Sequence, residues 1–408
     1  MSKKLLVLGA SRYYKKSIEA LKSYGYKVFT IDINANSPGF SVADGYSVID
    51  ITDKKKAYEY AKRINIDGVI PINDFGIQTA AYINDKLNLN GIRPNIAEIV
   101  TNKAKMRLAW EKNGAPIPKF FVSDSVSDSL NKIDKLRFPI IVKPADSRGG
   151  GSRGVKVVFD KSDFVDAFYF AQSFYEDKNV IIEECVQGSE HSIEVIVINS
   201  KVYILAISEK VKTPYPYRVD KQVIYPATLT QEQKNIIFNA VQKAIEGIGL
   251  ENGVAHIELA LTKQGPILFE IGARPGGGAT PQIVEYVTGI EYLKLNAKIA
   301  TGEKITENEL KPKLCKSAIY HFFTFKPTNS RIKKINGIDK IKRNEYIKDF
   351  ELFIKENDII KEVKTGKDRQ GFAIIVSNTK KEAIKYADLV EESITDLTHK
   401  TILMYNTK

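Results

Sequence analysis

The stretch VAHIELALTKQGPILFEIGARPGGGAT, residues 254–280, decides how this chain is read. Two short apolar runs, His256–Leu261 and Pro266–Ile271, flank a turn signal at Lys263-Gln264-Gly265, the pattern of a β-hairpin. Each run carries one acid among apolar residues: Glu258 in the first, Glu270 near the end of the second. Two carboxylates in β-rich apolar sequence are unfavourable unless something positive sits between them. A divalent metal answers that need, and oxygen donors without a nearby Cys or His cluster suit Mg2+ better than zinc. Four residues after Glu270 comes Arg274, then Pro275 and Gly276-Gly277-Gly278. An arginine beside metal carboxylates suits a phosphate or a developing oxyanion. The glycines let backbone N–H groups approach the same ligand. The competing reading is a surface hairpin with two solvated glutamates.

The chain has 408 residues, room for two or three domains with their own cores. Hydrophobic content of 43% and charged content of 27% are ordinary for a globular protein. No apolar run reaches the ~18 residues of a membrane span. The N-terminus enters a strand–turn signature directly, and the two cysteines, Cys185 and Cys315, come without a secretory mark, so a reducing cytoplasm is expected. Cys185 reads as core packing. The net charge of +12 and pI of 9.2 fit an anionic ligand or nucleic acid. The lysines are scattered, however, and no RNA-recognition motif, zinc knuckle or basic helix with spaced aromatics is present. No nucleic-acid or membrane partner is expected.

Working outward, residues 4–9 read as a buried strand, followed by a helix from about Lys15 to Tyr24 and a second strand, Lys27–Asp32. A dinucleotide site would need G-x-G-x-x-G after the first strand, and only Gly9 is there. The βα units continue to about residue 98 as an open, mostly parallel layer. Its ligands would sit at the strand ends near Gly9, Asp32 and Asn73-Asp74. Thr101-Asn102-Lys103 starts a capped helix. FPIIVKP, residues 138–144, is an apolar strand ending in Lys143. The loop after it, Asp146 to Gly154, holds four glycines and two arginines and suits a phosphate clamp of backbone amides, but it lacks the G-K-[ST] of a Walker A loop. VIIEECV, residues 180–186, is a buried strand; residues 189–198 and 201–208 read as a strand pair. Residues 211–226, with three prolines and three tyrosines, read as a mobile loop over a site. After Leu314 come strands near 317–325, 332–335 and 371–377 and a closing helix, Lys380–Leu397.

In this order the pieces resemble the ATP-grasp superfamily over nearly the whole chain. The resemblance rests on TNK before a helix, FPIIVKPADSRGGGSRGV, VIIEECVQGSEHSIEV and HIELALTKQGPILFEIGARPGGG at consistent spacing. It implies an α/β and α+β architecture in four parts: a Rossmann-like domain at 1–98, a small ATP-grasp lobe with its glycine-rich lid at 99–185, a large lobe with the metal hairpin at 186–311, and a C-terminal α+β lobe at 312–408. It implies ATP and one or two Mg2+ ions, with Mn2+ as a substitute. Lys103 and Lys143 look like the two lysines on the ATP phosphates. Arg148, Gly150, Gly151, Ser152 and Gly154 look like the lid over the β- and γ-phosphates. Glu183, Glu184 and Val186 look like the segment at the adenine, read by the backbone of Glu184 and Val186. Glu190 looks like the ribose ligand, Glu258 and Glu270 like the metal ligands, and Arg274 like the arginine on an acyl phosphate. One departure stands out: many members carry Asn two residues after the second metal glutamate, and this chain has Gly272.

Chemistry of that kind turns a carboxylate into an acyl phosphate and joins it to a nucleophile, with Lys143 and Arg274 as the groups on the reacting atoms and amides of Gly276 and Gly277 as further donors. His256, two residues before Glu258 and so on the same strand face, is a candidate substrate contact or a satisfied core histidine. The ending EIGARPGGG and the C-terminal lobe look most like L-amino acid ligases that make dipeptides, with small-molecule carboxylate and amine substrates and a homodimer. The alternative is a carboxylase or formate-using ligase of the purine-biosynthesis type. A third reading is an ATP-binding module without ligase activity.

Overall fold

Leu5, Leu6, Val7 and Leu8 are all fully buried, as a strand covered on both faces requires. They form the inner strand Lys4–Leu8 of a parallel sheet ordered Gly45–Val48, Lys27–Asp32, Lys4–Leu8, Gly68–Pro71. Helices Lys15–Ser23 and Lys54–Ile64 make crossovers between these strands, and Ile77–Leu87 follows the last of them. The structure, a computed structural model, describes residues 2–146, 154–215, 217–329, 331–396 and 400–401. Just past the end of Gly68–Pro71, the Asn73 side chain accepts from the Gly76 N–H at 3.2 Å. That cap fixes the single turn Asp74–Gly76 at the C-terminal edge of the sheet.

A second sheet is antiparallel, ordered Phe120–Ser123, Val180–Glu184, Ile140–Pro144, Lys156–Val158. Alternation sorts its faces. Ile140, Val142, Val180 and Ile182 pack with Phe164 and Phe168 into a core. Ile141, Lys143, Ile181 and Glu183 lie on the other face. The helix Lys103–Lys112 starts from this sheet. Asn102 caps it by accepting from the Lys105 N–H, and the Lys103 N–H donates to the Ala145 carbonyl at 2.6 Å.

The third sheet is ordered Lys201–Ile207, Ser189–Ile198, Gly253–Thr262, Gly265–Gly272. The last two strands are the hairpin of the opening stretch. Its register lines up two rows on one face, Glu194–His256–Gly272 and Ser192–Glu258–Glu270. The pairing shifts by one residue directly after Glu258, a bulge beside the acidic pair. The helix Gln231–Ile248 opens with a Thr230/Gln233 capping box and ends at Gly249, whose φ of 73° only glycine adopts readily.

The chain divides into two compact units; the three sheets above belong to residues 1–205, 229–282 and 290–311, apart from the last two residues of Lys201–Ile207. The other unit (206–228, 283–289 and 312–408) is built on an antiparallel sheet ordered Glu209–Lys212, Asp220–Tyr225, Ser317–Phe323, Gly371–Ser377, Ile347–Leu352. Ala383, Ala387 and Val390 of the helix Lys380–Ser393 pack on Ile319, Ala373 and Ile375 of that sheet. Much of 211–226, expected as an irregular loop, is a hairpin of Glu209–Lys212 with Asp220–Tyr225. Pro214 falls in its turn, where no ladder N–H is needed, and the turn is closed by Thr213 N–H to the Val219 carbonyl at 2.8 Å. The strand expected at 332–335 shrinks to Ile335–Asn336, and Ile347–Leu352 is a strand that half-buried alternation did not announce.

Ile182 is fully buried in the second sheet's core. Ile182→Ala is expected to lower unfolding free energy by about 2–5 kcal/mol in denaturant titration; a loss below about 1 kcal/mol contradicts the packing described.

Candidate functional site

Glu258 and Glu270 face each other directly across the hairpin. Like charges in that position repel, and both side chains are about one-third exposed, at 34% and 37%. Each has a cation. Lys103 Nζ lies 2.7 Å from Glu270 Oε1, and His256 Nε2 lies 3.3 Å from Glu258 Oε1. Burial opposes charge on His256, but Glu194, 2.5 Å from Nδ1, and Glu258 outweigh it and raise the imidazole to about 9. Among the described residues no group of three His, Cys, Asp or Glu is assembled that could hold a metal alone. Two hard carboxylates open to a ligand still fit Mg2+, which keeps water and phosphate oxygens in its shell.

Lys103 and Lys143, forty positions apart, converge because the Lys103 backbone is tied to Ala145. Lys143 is buried and pairs with Glu183, whose other oxygen takes Arg107 Nε at 3.1 Å and Nη2 at 3.0 Å. Burial pushes the Glu183 carboxyl up, and Arg107 and Lys143 more than offset it, leaving it below the usual carboxylate range. Burial lowers Lys143 to about 8, with Glu183 opposing and Arg107 and Lys103 adding to the fall. The Glu183 side chain is therefore engaged with these cations. The Glu184 N–H donates to the Lys119 carbonyl at 3.0 Å, so a base-edge contact at 184 is left to its carbonyl. Val186 is half-buried ahead of Gly188, where a Cβ would stand 2.5 Å from the Leu261 carbonyl oxygen. Glu190 is half-buried opposite Ala260, on the same face as Ser192 and Glu194.

Arg274 is gripped by Asp74 through Nε–Oδ1 at 2.9 Å and Nη2–Oδ2 at 2.7 Å. Burial raises the Asp74 carboxyl, but Arg274 outweighs it and holds the group low; Asp74 in turn raises the guanidinium further against burial. Tyr14, whose phenol is raised by burial, stands near this pair with its side chain hydrogen-bonded to Asn73. A Cβ on Gly272 would lie 2.9 Å from Asp74 Oδ1 and 3.3 Å from the Arg274 guanidinium carbon. No larger side chain fits there while Asp74 holds Arg274, a physical reason for glycine where asparagine was expected.

The glycine run needs a correction. The Gly276 N–H donates to Glu194 Oε2 at 3.0 Å, so it is not directed at an oxyanion as expected from the sequence. Space around a Cβ at Gly277 is open. Arg148, Gly150, Gly151 and Ser152 of the expected lid lie outside the described residues. Gly154, with φ of 72°, sits where a Cβ would be 2.7 Å from Pro144. Sequence reasoning missed Arg107, Glu194 and Tyr14. Only Glu194, a lone acid in the apolar run SIEVIVI, carried the signal used for Glu258.

Residues 136–282 match an ATP-grasp domain, the class to which this fold and site point. A match to L-amino acid ligase C-terminal domain 2 follows over residues 322–395. The L-arginine-specific L-amino acid ligase of Bacillus subtilis is 22% identical over 365 residues, 86% of each chain. Carbamoyl phosphate synthase large chain of Clostridium acetobutylicum is 25% identical over 307 residues, 71% of this chain but only 27% of that one. Among solved structures, L-amino acid ligase from Bacillus licheniformis has a TM-score of 0.83 at 22% identity, covering 98% of this chain and 99% of that one. Phosphoribosylglycinamide synthetase from Anaerococcus prevotii has 0.79 at 24%, covering 97% and 100%. These structural likenesses show the shared fold.

Arg107 is fully buried on Glu183. Arg107→Leu is expected to destabilise the protein by about 1.5–3 kcal/mol, the cost of removing one of two buried cations on Glu183 while Lys143 stays paired with it. Thermal and chemical unfolding measure this, and a neutral result contradicts the geometry.

Proposed function

We propose that this protein is an ADP-forming ligase that activates a small carboxylate as an acyl phosphate and joins it to an amine, with amino acids as the substrates. The observation that carries the reading is the convergence of Lys103 on Glu270, directly opposite Glu258. Lys143 lies close enough to Lys103 for their charges to interact, and the Asp74–Arg274 clamp bears in the same way on Lys103. The relatives named for amino acid ligation support the substrate class.

Glu258 and Glu270 would hold Mg2+, which supplies charge neutralisation on the phosphates when bound. Lys103 and Lys143 draw in the polyphosphate and neutralise charge spreading over its oxygens. A substrate carboxylate oxygen attacks the γ-phosphorus, the bond to the β–γ bridging oxygen breaks, and ADP leaves. The amine nitrogen then attacks the acyl carbon and loses a proton as phosphate departs. Arg274, held in orientation by Asp74, would stabilise the oxyanion of that step. Nothing in this scheme calls for a nucleophilic side chain; the work is positioning and electrostatics.

The direct test is ADP and phosphate release from MgATP with amino acids singly and in pairs, with bicarbonate, and with formate plus a ribonucleotide amine. Release that needs an amino acid pair, with a product mass equal to their sum less water, is expected. Release that needs bicarbonate or formate contradicts the proposal in favour of purine-type chemistry. Glu270→Gln is expected to abolish turnover while the melting temperature holds; near-normal turnover contradicts the metal role.

A pH dependence follows from Lys143, whose ammonium is lowered to about 8. Below that pH the group is already charged, and polyphosphate binding takes up no proton there. Above it, binding must recharge the amine, so ATP affinity falls with rising pH, by up to about tenfold per unit. Calorimetry at pH 9 in buffers of different ionisation enthalpy is expected to show proton uptake that Lys143→Met removes. No uptake in the parent protein contradicts the assignment.

A further inference from the structure

Glu194 is fully buried, a carboxylate with no exposure between Ile193 and Val195 in the strand Ser189–Ile198. Burying such a charge is costly unless it is paired and hydrogen-bonded. Its contacts run in two directions. Oε1 meets His256 Nδ1 at 2.5 Å, and the other nitrogen of the same ring meets Glu258 at 3.3 Å. Oε2 accepts the Gly276 N–H at 3.0 Å and the Tyr292 hydroxyl at 3.3 Å. A Cβ at Gly276 would stand 2.5 Å from Glu194 Oε1, so the glycine is what allows this approach. Strand register places Glu194 beside His256, one row from Glu258 and Glu270.

We propose that Glu194 is a positioning residue: through His256 it orients the Glu258 carboxylate, and through the Gly276 amide it fixes the loop that follows Arg274. One buried carboxylate thereby joins the metal side of the site to its acyl side. The inference rests on the reading of Glu258 and Glu270 as metal ligands. Outer-shell partners of this kind set ligand orientation, and their loss costs about 10–100-fold in metal affinity.

The test uses the ADP complex of the full-length protein, with Mn2+ as the probe and water proton relaxation as the readout. Glu194→Gln is expected to raise the Mn2+ concentration for half-saturation at least tenfold. Amide hydrogen exchange of residues 272–280 is expected to speed up in the same variant. His256→Asn is expected to weaken Mn2+ comparably, and the double variant no further than the worse single one. Tyr292→Phe, which removes the longest of the Glu194 contacts at 3.3 Å, controls for packing and is expected to leave Mn2+ binding within twofold. Should Glu194→Gln unfold the protein, Glu194→Asp, which shortens the reach to both partners, gives the same readout. Unchanged Mn2+ affinity in a folded Glu194 variant overturns the proposal, as does full additivity with His256→Asn. Glu270→Gln separates the two levels: if it too leaves Mn2+ binding intact, the metal reading fails, not only the role of Glu194.

Discussion

Two carboxylates set directly opposite each other on a hairpin are a liability that the rest of this site is arranged to meet. Glu258 and Glu270 cannot move apart, because their spacing is the register of the strands. Cations must come to them. One is Lys103, delivered by a helix whose first N–H is anchored on the neighbouring sheet. The other is the His256 imidazolium, kept charged by Glu194. Under the proposed function, the Lys103–Glu270 ion pair would be exchanged on nucleotide binding. A metal brought in with nucleotide would take over the carboxylate, and the ammonium would turn to the phosphates.

A different balance holds at Lys143 and Arg274. Lys143 is buried deeply enough to sit near the edge of neutrality, and Glu183 with Arg107 defines its place. Arg274 stays fully charged because Asp74 grips it with two hydrogen bonds. Asp74 comes from the strand edge of the N-terminal parallel sheet, so that layer is part of the site and not only its support. The glycine at 272 belongs to the same arrangement, since its missing side chain is what lets Asp74 approach.

Much of this is legible in the sequence alone. The parallel layer, the acidic hairpin and the apolar strand ending in Lys143 each rest on local patterns, where period and turn chemistry speak for themselves. What was hidden depends on long-range partners. Arg107 lies in a helix with nothing around it in sequence to mark it as the counterion of Glu183. The Gly276 amide looked like an oxyanion donor because glycines are permissive, and only the fold shows Glu194 beneath it. The hairpin at 209–225 was masked by prolines and tyrosines, residues that can mark either a loop or the turn of an edge hairpin. Asp74 was visible as a strand-end acid, but its pairing with Arg274, two hundred positions away, was not.

The measurement that bears most directly on this account is a crystal structure with Mg2+ and a non-hydrolysable ATP analogue. The account predicts metal density bound by both Glu258 and Glu270, with Lys103 withdrawn from Glu270 onto a phosphate and Lys143 on the same polyphosphate. Metal bound elsewhere, or Lys103 still paired with Glu270 beneath a bound nucleotide, would contradict it.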